Sequence, residues 1–255
     1  MGLFAVKLAV TPLLMALVTL VNRRFGAAAG GIVAGLPLTS GPISLYLALE
    51  QGLPFAGAAA HGSLVGVGAV LVSYLAYLLA SRRSVLFSCF AGFGGFALWA
   101  LAAGRIGSDT GLVLADLALT GLLLVLTRGA SAGTRPARLP PWDLPARIAV
   151  STGLVVMVTL AAPLLGPALS GLLAPVPVIA WPLIVFVHAQ SGRDAAVATI
   201  RGTVSGAVGL CAFNLAVIRL APTEGIALTY VAALSLSLAV SLALVGVLYR
   251  RKASS

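Results

Sequence analysis

Apolar runs of about 20 residues follow one another along the whole chain, each long enough to cross a hydrocarbon core of about 30 Å as a helix. Nine can be drawn, at 3–21, 27–49, 55–79, 85–103, 111–126, 148–165, 169–189, 195–220 and 226–249. The breaks between them are short and carry Gly, Pro, Arg or Ser. The longest, 128–147, contains Gly129, Gly133, Pro140 and Pro141 and reads as a linker, too short for a domain. The pattern predicts an all-α polytopic membrane protein of about nine transmembrane helices.

The same landmarks then recur. The stretch 7–80 reads again, without a gap, at 147–220, a constant offset of 140 positions. Gly26 falls on Gly166, Pro37 and Pro42 on Pro177 and Pro182, Gly52 on Gly192, and Gly62 and Gly66 on Gly202 and Gly206. The match covers three helices per copy, and a fourth in each is assigned by position. The expected organisation is a first repeat at 1–104, a connector helix with linker at 105–146, and a second repeat at 147–255.

Charge placement gives the copies a direction. Counting alternate sides, twelve basic residues fall on one face of the membrane: Arg23, Arg24, Arg82, Arg83, Arg128, Arg135, Arg138, Arg147, Arg193, Arg250, Arg251 and Lys252. Only Lys7, Arg105 and Arg219 fall on the other, with Arg201 inside a span. The positive-inside rule makes the first face cytoplasmic. The N-terminus is expected outside, the C-terminus inside, and the repeats in opposite orientations, with a bacterial inner (plasma) membrane as the location.

Composition agrees with that class: 60% hydrophobic and 9% charged residues, against about 25% charged in soluble domains. The net charge of +10 would suggest nucleic acid in a soluble chain; here it is explained by topology. The first apolar run has a duplicate deep in the chain, so it reads as a retained helix and not a cleaved signal. Cys89 and Cys211 lie in apolar segments without metal-ligand spacing and read as buried, inert thiols. No cofactor, metal, nucleic-acid partner or enzymatic activity is expected. The expected partners are the lipid bilayer and a small-molecule solute, with a homodimer left open.

Candidate chemistry falls at three places. The second helix of each copy carries two prolines five residues apart, which should break it near the bilayer midplane. Non-helical backbone at that depth is tolerated where protein or a water-filled cavity receives it. Gly41 reads as an N-cap with Pro42 opening a second half-helix, whose amides suit an anion. Pro37, Thr39, Ser40, Gly41 and Pro42 would form a polar face, and Pro177, Trp181 and Pro182 an apolar wall. Second, Asp116 is an acid inside a span, read as a proton carrier, as the ion-pair partner of Arg201, or as unpaired near the interface. Third, His61 and Arg201 occupy equivalent positions, and Arg201 reads either as an anion ligand or as snorkelling to the interface. His188 is a further coupling candidate, whereas Gln190 and Glu50 lie near helix ends.

Opposed repeats with a broken helix in each resemble the architecture of sodium/proton antiporters and bile-acid sodium symporters, without a shared sequence motif. The resemblance implies a secondary transporter working by alternating access. The chain departs from it in cation ligands, since only Thr39, Ser40 and Asp116 are at hand. Proton coupling or uncoupled export is therefore expected in place of sodium coupling. The expected cargo is a small organic anion; a channel and a non-transporting scaffold or partner subunit are the alternatives.

Overall fold

The computed structural model describes residues 2–37, 40–103, 106, 108–130, 140–173 and 177–250, with side chains described outside 2–8, 43, 158–159, 161–173 and 248–250. Every regular element among them is a helix: α1 (Gly2–Phe25), α2 (Ala27–Gly35), α3 (Ser40–Gln51), α4 (Leu53–Ala80), α5 (Val85–Ala103), α6 (Asp109–Leu126), α7 (Asp143–Leu173), α8 (Ala180–Leu220) and α9 (Ile226–Arg250). Among the described residues six stretches are long and apolar enough to cross a membrane: Ala27–Gln51, Leu53–Ala80, Val85–Ala103, Asp109–Leu126, Ala180–Leu220 and Ile226–Val247. The chain is thus a helical protein with the make-up of an integral membrane protein. Large apolar side chains such as Phe90, Leu98, Leu101 and Leu242 are exposed along α5 and α9, as a lipid-facing surface requires.

Helix ends follow from Gly and Pro. Leu36 is extended (φ −71°, ψ 156°) and closes α2, because the ring of Pro37 excludes its helical conformation. Gly26, Gly52 and Gly192 combine φ of 91°, 86° and 83° with ψ of 172°, 166° and −179°. That region is open essentially to Gly alone. At Gly52 the chain leaves α3 and enters α4. At Gly192 the kink divides α8, so that its first half leads from Trp181, bonded to Ser73 of α4, to His188, bonded to Tyr77 of α4. The second half runs antiparallel to α6, placing Arg201 at the end of α6 and Cys211 at its middle.

The core is built where α2 crosses the second half of α8. A Cβ on Gly202 would lie 2.1 Å from the Ala28 carbonyl oxygen, and on Gly31 2.2 Å from that of Thr199. Gly35 and Gly206 meet at the same crossing. Small residues allow this backbone approach, which gives helices in lipid their dispersion contacts. Around it, Leu64, Leu71, Tyr74, Leu123, Ile200 and Val204 form the largest buried cluster.

Three expectations need correction. The run drawn at 169–189 is not a helix of its own: α7 continues through Gly166 to Leu173 and α8 starts at Ala180. Gly166 therefore does not act as its duplicate Gly26 does. The linker drawn to 147 ends sooner, since α7 begins at Asp143. Gly41 is not an N-cap: α3 starts at Ser40, and Pro42 lies in its first turn, where a missing amide costs little.

Candidate functional site

The starts of α3 and α8 have the same local hydrogen bond. The Gly41 amide donates to the Pro37 carbonyl at 3.0 Å, and the Trp181 amide to the Pro177 carbonyl at 2.9 Å. The described contacts carry them to different neighbours. Gly41 faces the Leu234 side chain of α9, and Ser44, one turn on, exchanges hydrogen bonds with Tyr230 of α9. Trp181 is buried between α4 and α5: its indole donates to Ser73 Oγ at 3.1 Å, stacks on Phe93 at 4.6 Å and lies over Gly92. The residue expected to form an apolar wall is thus already covered by protein in this structure. Pro37, Gly41 and Pro182 are buried, Ser40 and Pro177 half-buried and Pro42 exposed. Thr39 lies outside the described residues.

Arg201 and Asp116 do not pair. Helix α8 presents Gly202 and Gly206 to α2 and, on an adjoining face, Arg201 to α6, where its guanidinium donates to the Leu124 carbonyl at 2.7 Å and reaches Thr127 Oγ1 at 3.3 Å. The carbonyls of a helix's last turn lack intrahelical partners, so they and the C-terminal dipole suit a cation. Asp116 is fully buried two to three turns away; the Cys211 thiol approaches its Oδ2 at 3.7 Å and its Oδ1 has no partner among the described residues. Cys211, expected to be inert, is the donor at this carboxyl. His61 is half-exposed and its Nδ1 is bonded to Asp109, in the first turn of α6. His188 is buried with Nδ1 2.8 Å from the Tyr77 hydroxyl.

A second polar group went unread in the sequence. Asp143, fully buried, accepts from Arg23 of α1 at 2.9 Å, from Arg147 at 2.7 Å and from Gln190 of α8 at 2.7 Å. Arg147 also reaches Gln190 at 2.9 Å and lies over the Phe186 ring. The network ties α1, α7 and α8 together beside the apolar stretch that begins at Ile148. Burial pushes the Asp143 carboxyl up, but the bonds from Arg23, Arg147 and Gln190 and the Arg147 charge outweigh it and hold it below the usual carboxylate range. The available signals were an Asp and an Arg at i and i+4, and the placement of Gln190 and Arg147 at the duplicates of Glu50 and Lys7.

Among the described residues no three His, Cys, Asp or Glu side chains cluster at metal-binding range. The arrangement offers single buried polar groups between packed helices, and an ionisable residue in such a position is a candidate functional residue. Comparison finds no protein-family model, no curated protein and no solved structure that matches the chain. The class stands on the fold alone: a helical, polytopic membrane protein.

Proposed function

We propose that the chain is a small secondary transporter that moves a small organic anion across a bacterial inner membrane by alternating access between two oppositely oriented repeats. One observation supports this above the others. At the sequence offset of 140, α3 and α8 start at Ser40 and Ala180, Gly52 and Gly192 take one unusual backbone conformation, and α4 and α8 end at Ala80 and Leu220. Two copies of a half-helix, a glycine reversal and a long helix are the parts from which inverted-repeat carriers are built. On this reading the arginine distribution along the sequence puts the N-terminus outside and the C-terminus in the cytoplasm.

On this reading the solute meets the chain at 37–42, where Ser40 is half-buried and α3 begins. Gly35, just before it, rests on Thr203 and Gly206 of α8, so motion of α8 changes the shape of this region. Arg201 serves the anion in a state in which it has left the Leu124 carbonyl. The test is uptake by proteoliposomes of purified protein against a panel of organic anions, amino acids and drugs, with thermal stabilisation by each. Saturable flux that accelerates on counter-transport is expected. Non-saturating flux would instead mark a channel, and no flux or stabilisation across the panel a scaffold.

A further inference from the structure

One face of α6 carries polar groups along its length. Asp109, Asp116 and Thr120 are spaced seven and four residues apart, which stacks them on one side of a helix. Asp116 and Thr120 are both buried, and Asp116 Oδ1 and Thr120 Oγ1 have no hydrogen-bond partner. Asp109 and Asp116 are separated by about 10 Å of helix. Between them on the same face lies Leu112, fully buried.

The helices packed against this face are α4 and α8. From α4 come His61, bonded to Asp109, Tyr74, whose buried hydroxyl is unpartnered, and Tyr77, bonded to His188. From α8 come Cys211, the thiol at Asp116, and Arg201, held by the Leu124 carbonyl and Thr127. Among the described residues Asp116 therefore meets one weak donor and no cation. A buried carboxylate so poorly compensated is far costlier than the neutral acid.

We propose that Asp116 is a proton-exchange site, held as the neutral acid in this arrangement, and that it trades its proton with the medium through His61 across a Leu112 barrier. Oδ2 already accepts from the thiol, so the acid proton belongs on Oδ1. The bond from Nδ1 to Asp109 selects the His61 Nδ1–H tautomer and leaves Nε2 as the acceptor. In the exchange the Asp116 O–H bond breaks and a water accepts that proton. That water hands a proton along a water file to His61 Nε2, giving an imidazolium beside Asp109. The imidazolium releases a proton from Nε2 to the medium, and a proton from the medium returns by the same route to Asp116 Oδ1. Direct transfer over about 10 Å is excluded by hydrogen-bond reach. Exchange therefore waits for water to pass Leu112, which keeps the proton bound while the helices are closed.

The use of this site in coupling rests on the transporter reading, but its test does not. Infrared spectra of the purified full chain at pH 7 should contain a protonated-carboxyl carbonyl band that is absent in Asp116→Asn, an isostere whose thermal melt confirms folding. A wild-type spectrum without that band overturns the site. On transfer to deuterated buffer the band shifts as the proton exchanges. His61→Gln should slow that shift at least about tenfold, and Leu112→Ala should accelerate it; an unchanged rate in His61→Gln overturns the relay. A band without flux of any panel solute would sink the transporter reading alone, whereas solute flux without a band would sink the proton site alone.

Discussion

A methyl group at Gly202 would have nowhere to go, since the Ala28 carbonyl lies 2.1 Å from its ideal position and the Ile32 amide 2.8 Å. Its duplicate Gly62 has nothing within 4 Å. Gly202→Ala should therefore cost about 1–3 kcal/mol through overpacking, while Gly62→Ala should be neutral or stabilising by about 0.5–1 kcal/mol through helix propensity. Melting temperatures in detergent decide it. At Asp143 the expectation is larger: Asp143→Asn leaves Arg147 buried without its counter-charge, at about 3–5 kcal/mol. The depressed Asp143 value also fixes a sign. Its contribution is fully present above the ordinary carboxylate value of about 3.9 and is lost as pH falls through the still lower folded value. Wild-type protein should lose stability in that acid range, and Asp143→Asn should lack that part of the loss. Asp116 could be picked out from the sequence because a lone acid in an apolar run is conspicuous. Asp143 could not, because it lies in a polar, proline-containing stretch and its burial depends on Arg23 and Gln190, far away in the chain.

At the scale of elements, glycine conformation is the testable point. Gly52 and Gly192 both adopt a backbone that side chains avoid, with open space around a Cβ at Gly192 and only Pro54 near Gly52. Substitution by Ala should cost about 1–3 kcal/mol at each, from strain and not from packing. A clear inequality between the two in thermal melts would mean that the two turns are not equivalent. The elements themselves were readable from run length and Pro–Gly punctuation. The exception was the second copy between 166 and 180, where α7 passes through Gly166. A glycine permits a reversal but does not require one, so its duplicate position could not say which copy would turn.

For the whole molecule, orientation is the expectation that binds the rest. With Cys89 and Cys211 replaced by alanine, a cysteine at Ser84, between α4 and α5, and one at Thr223, between α8 and α9, should react with an impermeant thiol reagent from opposite sides. In inverted and right-side-out vesicles Ser84→Cys should label from the cytoplasmic face and Thr223→Cys from outside. Labelling of both from one face would overturn the opposed repeats. Sequence alone determined the helical class, most helix positions and the 140-residue recurrence, because each is local: apolar length, glycine, proline and charge lie along the chain. Tertiary structure decided which groups meet. It sent Arg201 to the end of α6, Trp181 against Phe93, His61 to Asp109, and Asp143 to Arg23 and Gln190. The physical reason is rotation about each helix axis: one residue turns a side chain by about 100°, and only close packing, here of α2 on α8, fixes which face looks inward.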